Sequence, residues 1–543
     1  MKRRSFLKQT GVMAAALALP TRKTLGAERQ SRARKEERDN TSRVPKYTFA
    51  NTFGEQEAQL KTNPLMLRFI ESRKKMADDP YRPIYHFVSP ESTLNDPNGL
   101  SFWQGRWHMF YQGYPPEDRR QHWGHAVSDD LIHWRDLPYA IYPNPEHACF
   151  SGATLVEKDR VIAMYHGTQV GNMVAVSSDP LLLNWEKVTG KAVIPSKSSD
   201  GRTLPYRVFD PCIWKKGNMY YSLSGGTLPG PGGKRVRADF LFRSKDLASW
   251  EYLHPFVEDD RFTLIGDDGA CPYFWPISNR HILLFFSHMS GGQYILGDYD
   301  KHRDKFVATS NGLFNFGAAK PGGVHAPSAT PDGKVGVIVI FNMNPAKPTK
   351  GWNQIMTLPR LLTLAAKDDL MIEPTGDIES LRTSHQRVGT TQLPANQEFV
   401  PENIRGNAME IVAEIDDKKA PMFEMNVLRS PNRQEYTRIA FFRGRGYRGK
   451  SVITLDSSYS SILPDVTSRA PETAPLSLGK NEPLKLRVFV DRSIVEVFVN
   501  GKQCVAMRVY PGRKDSVGLS MRSQGKGAVL KSLDAWQMKN IYE

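Results

Sequence analysis

One pattern returns five times between residues 95 and 344, and it limits the folds open to this chain more than any other feature. An apolar strand opens at a small or acidic residue, turns at Gly or Asn, and runs back as an aromatic-rich strand. It reads "NDPNGLSFWQGRWHMFYQG", "FSGATLVEKDRVIAMYHG", "FDPCIWKKGNMYYSLSGG", "ACPYFWPISNRHILLFFSH" and "HAPSATPDGKVGVIVIFNMN". The anchors Asp96, Gly152, Asp210, Ala270 and Ala326 stand 56, 58, 60 and 56 residues apart. Several units go on to a closing segment, "VSDDLIHW", "VSSDPLLLNW" or "RSKDLASW". Five units of this length, each with strand enough for a four-stranded sheet, predict a five-bladed β-propeller. A solenoid is the alternative, but the strand–turn–strand texture and the lack of helical periodicity disfavour it. In a propeller the first strand of each blade lines the central channel, so a site would assemble where each unit begins.

The repeats end near "GWNQIMTLPRLLTL". A polar connector follows, and from about residue 405 alternating segments such as "NAMEIVAEI", "LKLRVFVD" and "SIVEVFVNG" predict a C-terminal β-sandwich. The expected fold is therefore all-β: propeller over 81–375, linker over 376–404, sandwich over 405–543. Before the propeller, residues 28–80 read as an extension, helical over 54–78 and broken at Pro64.

The first 27 residues read as an export signal. Arg3-Arg4 precede "SFLK" and an apolar run too short to span a bilayer, which is the twin-arginine pattern, and cleavage after Ala27 fits "TLGAER". An ordinary secretory signal or an uncleaved anchor is the alternative. The mature protein is expected in the periplasm or secreted, not embedded in membrane. The formal net charge of +16 would ordinarily suggest a nucleic-acid partner, but residues 1–46 supply +9 of it. The remainder is mild for its length and lacks a basic-aromatic motif, so no nucleic acid is expected. Cys149, Cys212, Cys271 and Cys504 are widely spaced without a metal-ligand pattern; one disulfide or buried free thiols both fit. His122, His125 and His133 lie near one another, but zinc is the weaker reading.

Glycoside cleavage needs two carboxyl groups flanking the anomeric carbon. Asp96 in "LNDPNG" opens the first unit and Asp210 in "VFDPCI" opens the third, each stiffened by a following Pro. One Asp-Pro is commonly only a turn; two at equivalent places in a repeat point to function. Gln112 and Trp123 offer hydrogen bonds to sugar hydroxyls, Ser151 sits in the small-residue opening "CFSG", and Trp103 could stack on a ring. Trp107, Phe110 and Tyr111 read as core, and Trp134, Trp185 and Trp250 as the packing that closes their blades.

Together "LNDPNGL", "FYQ", "WGHAVSDDLIHW", "FSG", "GWNQIMTLPRLLTL" and "LRVFVDRSIVEVFVNG" resemble glycoside hydrolase family 32, the β-fructosidases, over residues 81 to 540. The family's fold, a five-bladed propeller followed by a β-sandwich, agrees with the repeat. The resemblance implies that Asp96 is the nucleophile of a retaining reaction and that Asp210 stabilises the oxocarbenium ion. It also implies that Asn95, Gln112, Trp123, Phe150 and Ser151 line the same subsite, that the substrate is sucrose or a fructan, and that no cofactor is used.

Two positions depart from the family. Phe209 stands where Arg-Asp-Pro is usual, and Ala270 stands where Glu-Cys-Pro supplies the acid/base. Loss of a cation and an anion together leaves neither charge stranded, which reads as coordinated remodelling. Asp268 is the nearest replacement acid, on the same face of a strand but roughly 6–7 Å further along it; Gly269 could let the backbone bend to shorten that distance. Asp267, Glu117, Asp118 and His288 are weaker candidates. Against the hydrolase stand two other readings: a carbohydrate-binding propeller that has lost catalysis, and a glycosidase for a different sugar.

Overall fold

The computed structural model describes residues 39–543 except 259, 367, 418, 445–449 and 480. The export signal and its cleavage point lie outside the described residues. Five sheets, antiparallel but for one short parallel edge strand in the fourth, succeed one another between residues 94 and 374. The first holds β1 (Leu94–Trp103), β2 (Arg106–Gly113), β3 (His122–Ser128) and β4 (Arg135–Ile141). The second holds β5 (Cys149–Val156), β6 (Val161–Gly167) and β7 (Gly171–Ser177), with short β8 (Glu186–Lys187) and β9 (Ile194–Pro195) on its edge. The third is β10 (Pro211–Lys216), β11 (Met219–Pro229), β12 (Arg235–Ser244) and β13 (Glu251–Pro255). The fourth combines β14 (Val257–Glu258) with β15 (Ala270–Ile277), β16 (Arg280–Ser287), β17 (Gly291–Asp300) and β18 (Lys305–Leu313). The fifth is β19 (Val324–Pro331), β20 (Val337–Met343), β21 (Ile355–Met356), β22 (Arg360–Ala366) and β23 (Asp369–Pro374).

The first strands close a ring: β1 packs on β5, β5 on β10, β10 on β15, β15 on β19, and β19 back on β1. This is the five-bladed β-propeller that the repeat predicts. The closing segments have a local cause. Asp130, Asp179 and Asp246 each accept two backbone N–H bonds from residues two to five positions on. The Leu that follows them, Leu131, Leu182 or Leu247, takes a left-handed backbone with φ of 72°, 51° or 67°. That turn swings Trp134, Trp185 and Trp250 back against their blades, and the indole N–H groups of Trp185 and Trp250 bond the Leu182 and Leu247 carbonyls.

Two further sheets form the sandwich. One orders 382–388, 528–538, 408–416, 484–491, 494–499 and 503–508; the other orders 398–399, 518–524, 422–429, 437–442, 452–456 and 472–475. Their inner faces meet in a core that includes Ile411, Met425, Ile439, Val488, Val497 and Met521. The stretch expected as a linker therefore needs a correction: Arg382–Val388, Thr391–Leu393 and Glu398–Phe399 are edge strands of the sandwich. Arg382–Val388 has no fully buried residue, and "RTSHQRV" shows no apolar alternation. Upstream, Pro64 starts a second helix rather than only breaking one. α1 (Phe53–Thr62) ends at Asn63, whose side chain caps α2 (Pro64–Lys75) by accepting from the Leu65 and Met66 N–H groups. Leu60, Leu65, Met66 and Phe69 then pack on Val127, Leu137 and Tyr139 of blade one. No helix among the described residues is long and apolar enough to cross a membrane.

A buried polar seam holds propeller to sandwich. Asp491 accepts the N–H groups of Ile84, Tyr85 and His86 and the His86 ring at 2.8–2.9 Å. Glu496 takes the Leu358 N–H at 2.9 Å, the Arg360 guanidinium at 2.7 Å and the other His86 nitrogen at 3.3 Å. Burial pulls the His86 pKa down, but hydrogen bonds to Asp491 and Glu496 prevail and raise it to about 9. Glu496→Gln leaves Arg360 without its counter-charge in a dry seam and removes one of the two carboxylates on His86, so it should cost about 3–5 kcal/mol in urea unfolding at neutral pH. Because the His86 pKa is raised above its unfolded value, the stability from that pairing is complete below about pH 6.5 and fades as pH rises through about 9. Wild type should lose stability over that window faster than the variant.

Candidate active site

Four of the five channel strands carry the same irregularity at the same place. In β1 between Leu94 and Pro97, β5 between Cys149 and Gly152, β15 between Ala270 and Tyr273, and β19 between Val324 and Pro327, two residues stand opposite one on the partner strand. Such a bulge re-aims the side chains inside it. The bulged pairs are Asn95-Asp96, Phe150-Ser151, Cys271-Pro272 and His325-Ala326. The third blade instead sets Asp210 immediately before β10, its carbonyl bonded to the Gly225 N–H. All five openings face one axial mouth.

Asp96 is buried there. Its Oδ2 accepts from the Ser151 hydroxyl at 2.7 Å and the Gln112 amide at 3.2 Å, with the Cys271 thiol 3.6 Å away; its Oδ1 lies 3.2 Å from His325 Nδ1. Burial alone would raise the Asp96 pKa. Interaction with His325 and hydrogen bonds from Ser151 and Cys271 overcome that and hold it below the ordinary range. Asp210 Oδ2 accepts the Cys271 N–H at 3.1 Å and lies 3.5 Å from the same thiol. Burial first, then the Asp96 charge, push its pKa up to about 7. The thiol itself stays protonated, because burial beside two carboxylates drives its pKa far up. One sulfur thus bridges a carboxylate held ionised and a carboxylate near its midpoint.

Asn95 extends the network. Its Nδ2 donates to Gln112 at 3.2 Å, and its Oδ1 accepts from Asn342 and Gln354 at 3.1 and 2.9 Å. Gln112 also bonds Ser151 at 2.7 Å. Phe150 stands half-buried at the rim, 6.1 Å from the His166 ring, and half-exposed Phe209 lies 6.0 Å from the same ring, giving an aromatic shelf.

Two expected contacts are corrected. Trp123 is fully buried under the site and donates its N–H to the Phe150 carbonyl at 2.9 Å, so it supports the rim from below. Trp103 is also buried, its N–H bonded to the Asp179 carbonyl. All four cysteines are free and buried. Among the described residues no cluster of three or more His, Cys, Asp or Glu could hold a metal. Of the candidate acids, Glu117 pairs with Arg68, Asp118 with Arg120, and Asp267 accepts from the Ser287 hydroxyl and the Leu264 N–H. Asp268 meets His288: its Oδ2 lies 2.7 Å from Nδ1 and its Oδ1 accepts the His288 N–H at 3.2 Å. Sequence reasoning passed over Cys271, His325, Asn342 and Gln354. The equivalent openings of the fourth and fifth repeats, "ACPY" and "HAPS", hold two of them, Cys271 and His325.

A closed ring of blades with two desolvated carboxylates at its axial mouth is the construction of a propeller glycosidase. Residues 86–374 match the glycosyl hydrolases family 32 N-terminal domain, and residues 377–537 match the family 32 C-terminal domain. The chain belongs to glycoside hydrolase family 32 and is a glycoside hydrolase of β-fructofuranosidase type. It is 29% identical over 506 residues to a levanase of Bacillus subtilis, covering 86% of this chain and 71% of that protein. It is 27% identical to a fructan 6-exohydrolase of Beta vulgaris, covering 85% and 87%. Its fold matches crystalline fructan 1-exohydrolase IIa from Cichorium intybus with a TM-score of 0.75 at 22% identity, over 85% of this chain and 98% of that one.

The raised Asp210 pKa has a stability consequence. Native Asp210 binds its proton more tightly than the unfolded chain, so its burial costs stability progressively from about pH 4 and in full above about pH 7. Asp210→Asn should therefore raise the unfolding midpoint at pH 8 while leaving it near the wild-type value at pH 4, as scanning calorimetry at the two pH values would report.

Proposed function

We propose that the chain hydrolyses β-fructofuranosyl linkages of sucrose or fructans with retention of configuration. Asp96 attacks the anomeric carbon to form a fructosyl ester, and water then hydrolyses that ester. Asp210 holds fructosyl hydroxyls and stabilises the oxocarbenium-like transition state. Asn95, Gln112, Phe150 and Ser151 line the subsite, with Trp123 beneath them. The observation that carries the reading is the splitting of the two carboxylates: Asp96 is kept ionised by the donors around it, while Asp210 is lifted to about 7. Environments that push paired carboxyl groups apart assign them different roles. The relatives named as a levanase and fructan exohydrolases supply the substrate class.

A second reading, a glycosidase of altered sugar preference, is favoured by the Phe209–His166–Phe150 shelf, which offers an apolar face where the family uses Arg. Arg3-Arg4 ahead of a short apolar run supports export of the mature enzyme to the periplasm or outside the cell. On this reading Asp96→Ala should lower fructose release from sucrose, inulin, levan and an activated aryl β-fructofuranoside by at least about 10³-fold, since a nucleophile cannot be bypassed. Release of another sugar from a mixed glycan panel would favour the second reading. Undiminished hydrolysis by Asp96→Ala, or none by wild type at high enzyme concentration, would overturn the first.

A further inference from the structure

The missing acid at Ala270 has a structural counterpart across the strand pair. Ala270 of β15 stands opposite Phe286 of β16. Beyond the outer ends of these strands, Asp268 precedes β15 across the left-handed Gly269 and His288 follows β16 in the turn. Their side chains meet at 2.7 Å. The Asp268 bond occupies His288 Nδ1, and Nε2 makes no hydrogen bond to protein among the described residues. The ring is 5.3 Å from Phe286 and 6.1 Å from His325, the ring that itself stands against Asp96. Its side chain is 64% exposed, in reach of solvent and of a ligand at the mouth.

We propose that His288, positioned by Asp268, delivers the proton to the leaving oxygen that the family's Glu would supply at position 270. The inference rests on the fructosidase reading above. In the first step Asp96 Oδ forms a bond to the anomeric carbon, the bond from that carbon to the leaving oxygen breaks, and the His288 Nε2 proton passes to that oxygen. In the second step neutral His288 takes a proton from water as the water oxygen attacks the anomeric carbon. The ester bond to Asp96 breaks, and both the carboxylate and the imidazolium are restored. An imidazole reaches about as far from its backbone as a glutamyl carboxyl, and His288 lies just beyond β16 against Phe286, the partner of Ala270, so the donor's approach to the glycosidic oxygen is shifted and not lost.

The charges around the ring suit a donor. Asp268 precedes β15, Asp96 and Asp210 open blades one and three, and His325 comes from blade five. The Asp268 hydrogen bond raises the His288 pKa, partial burial opposes it, and the charges of Asp268, Asp96 and Asp210 add to the rise. Asp268 is thus a positioning residue, and His288 the one that touches the reacting atoms.

The test compares wild type, His288→Gln and Asp268→Asn on sucrose and on an activated aryl β-fructofuranoside, whose leaving group departs without protonation. Loss of general acid catalysis is worth about 10²–10⁴-fold. His288→Gln should therefore lower kcat/KM for sucrose at least about 100-fold while the aryl fructoside falls by less than about five-fold. Azide should accelerate aryl turnover by the variant by intercepting the fructosyl ester. Asp268→Asn should move the alkaline limb of the sucrose kcat/KM profile to lower pH, a displacement that a purely structural role would not produce. The pair is on the surface, so unfolding midpoints near wild type are expected and are measured alongside. An active wild type whose sucrose-to-aryl ratio is unchanged in His288→Gln overturns the donor assignment alone. A wild type inactive on every fructoside overturns the hydrolase reading and this inference with it.

Discussion

Everything at the functional end of this molecule depends on five strands being made to converge on one axis. Ring closure from β19 to β1 removes the free edges of an open sheet array and brings residues more than two hundred positions apart in sequence within hydrogen-bonding distance, as Asn95 and Asn342 are. Convergence also dries the mouth. Two carboxylates that would ionise alike in water become unequal there, because one has been given donors and the other chiefly burial and a like-charged neighbour. The repeated one-residue bulge is what makes convergence productive. A regular strand would point alternate side chains into the blades, whereas the extra residue turns an Asp, a Ser, a Cys or a His toward the axis.

The same physics accounts for the two departures from the family. A lone Glu at position 270 beside Asp96 and Asp210 would add a third acidic group to a desolvated site, and a nearby cation would be needed to hold it. With Phe209 in place of that cation, Ala270 removes the demand. Ala270 packs with Cys271, Phe286 and Ala326, and Phe209 stands against His166. Neither position leaves a stranded charge. Cys271 carries the remaining strain, with a left-handed backbone at φ 51°. That conformation lets its N–H and its thiol both reach Asp210 while the thiol also approaches Asp96.

How much of this is legible in the sequence depends on how local each signal is. The blades are legible because the period, the Asp-Leu-x-x-Trp turn and the alternation of strands are all short-range. Asp96 and Asp210 are legible because Asp-Pro recurs at equivalent points of the repeat, and Gln112 and Ser151 because they sit in family motifs. His325, Asn342 and Gln354 are not, since their meaning exists only once blade five lies against blade one. Trp123 was misread for a related reason. An indole in a family motif looks the same whether its N–H faces a sugar or, as here, the carbonyl of Phe150. The strands within 376–404 escaped because Arg382–Val388 has no fully buried residue, and Thr391–Leu393 and Glu398–Phe399 are too short to show a period.

The pairing of Asp268 with His288 belongs to this last class of information. In sequence the two are twenty residues apart, in a loop and a hairpin turn, and they read as two separate candidate acids with nothing to join them. Antiparallel register across Ala270 and Phe286 makes them neighbours, and Gly269, whose backbone is left-handed at φ 62°, permits the loop to reach. A Cβ at position 269 would come within 2.8 Å of Arg237, which is buried in its own pairing with Asp239 and Asp260. The loop is further pinned by Asp267 on Ser287 and by the Gly266 N–H on the Arg235 carbonyl. A deleted carboxyl in an unbraced site would leave only a gap, whereas here the segment beside the deletion is fixed from three sides and holds an acid–imidazole pair at the mouth.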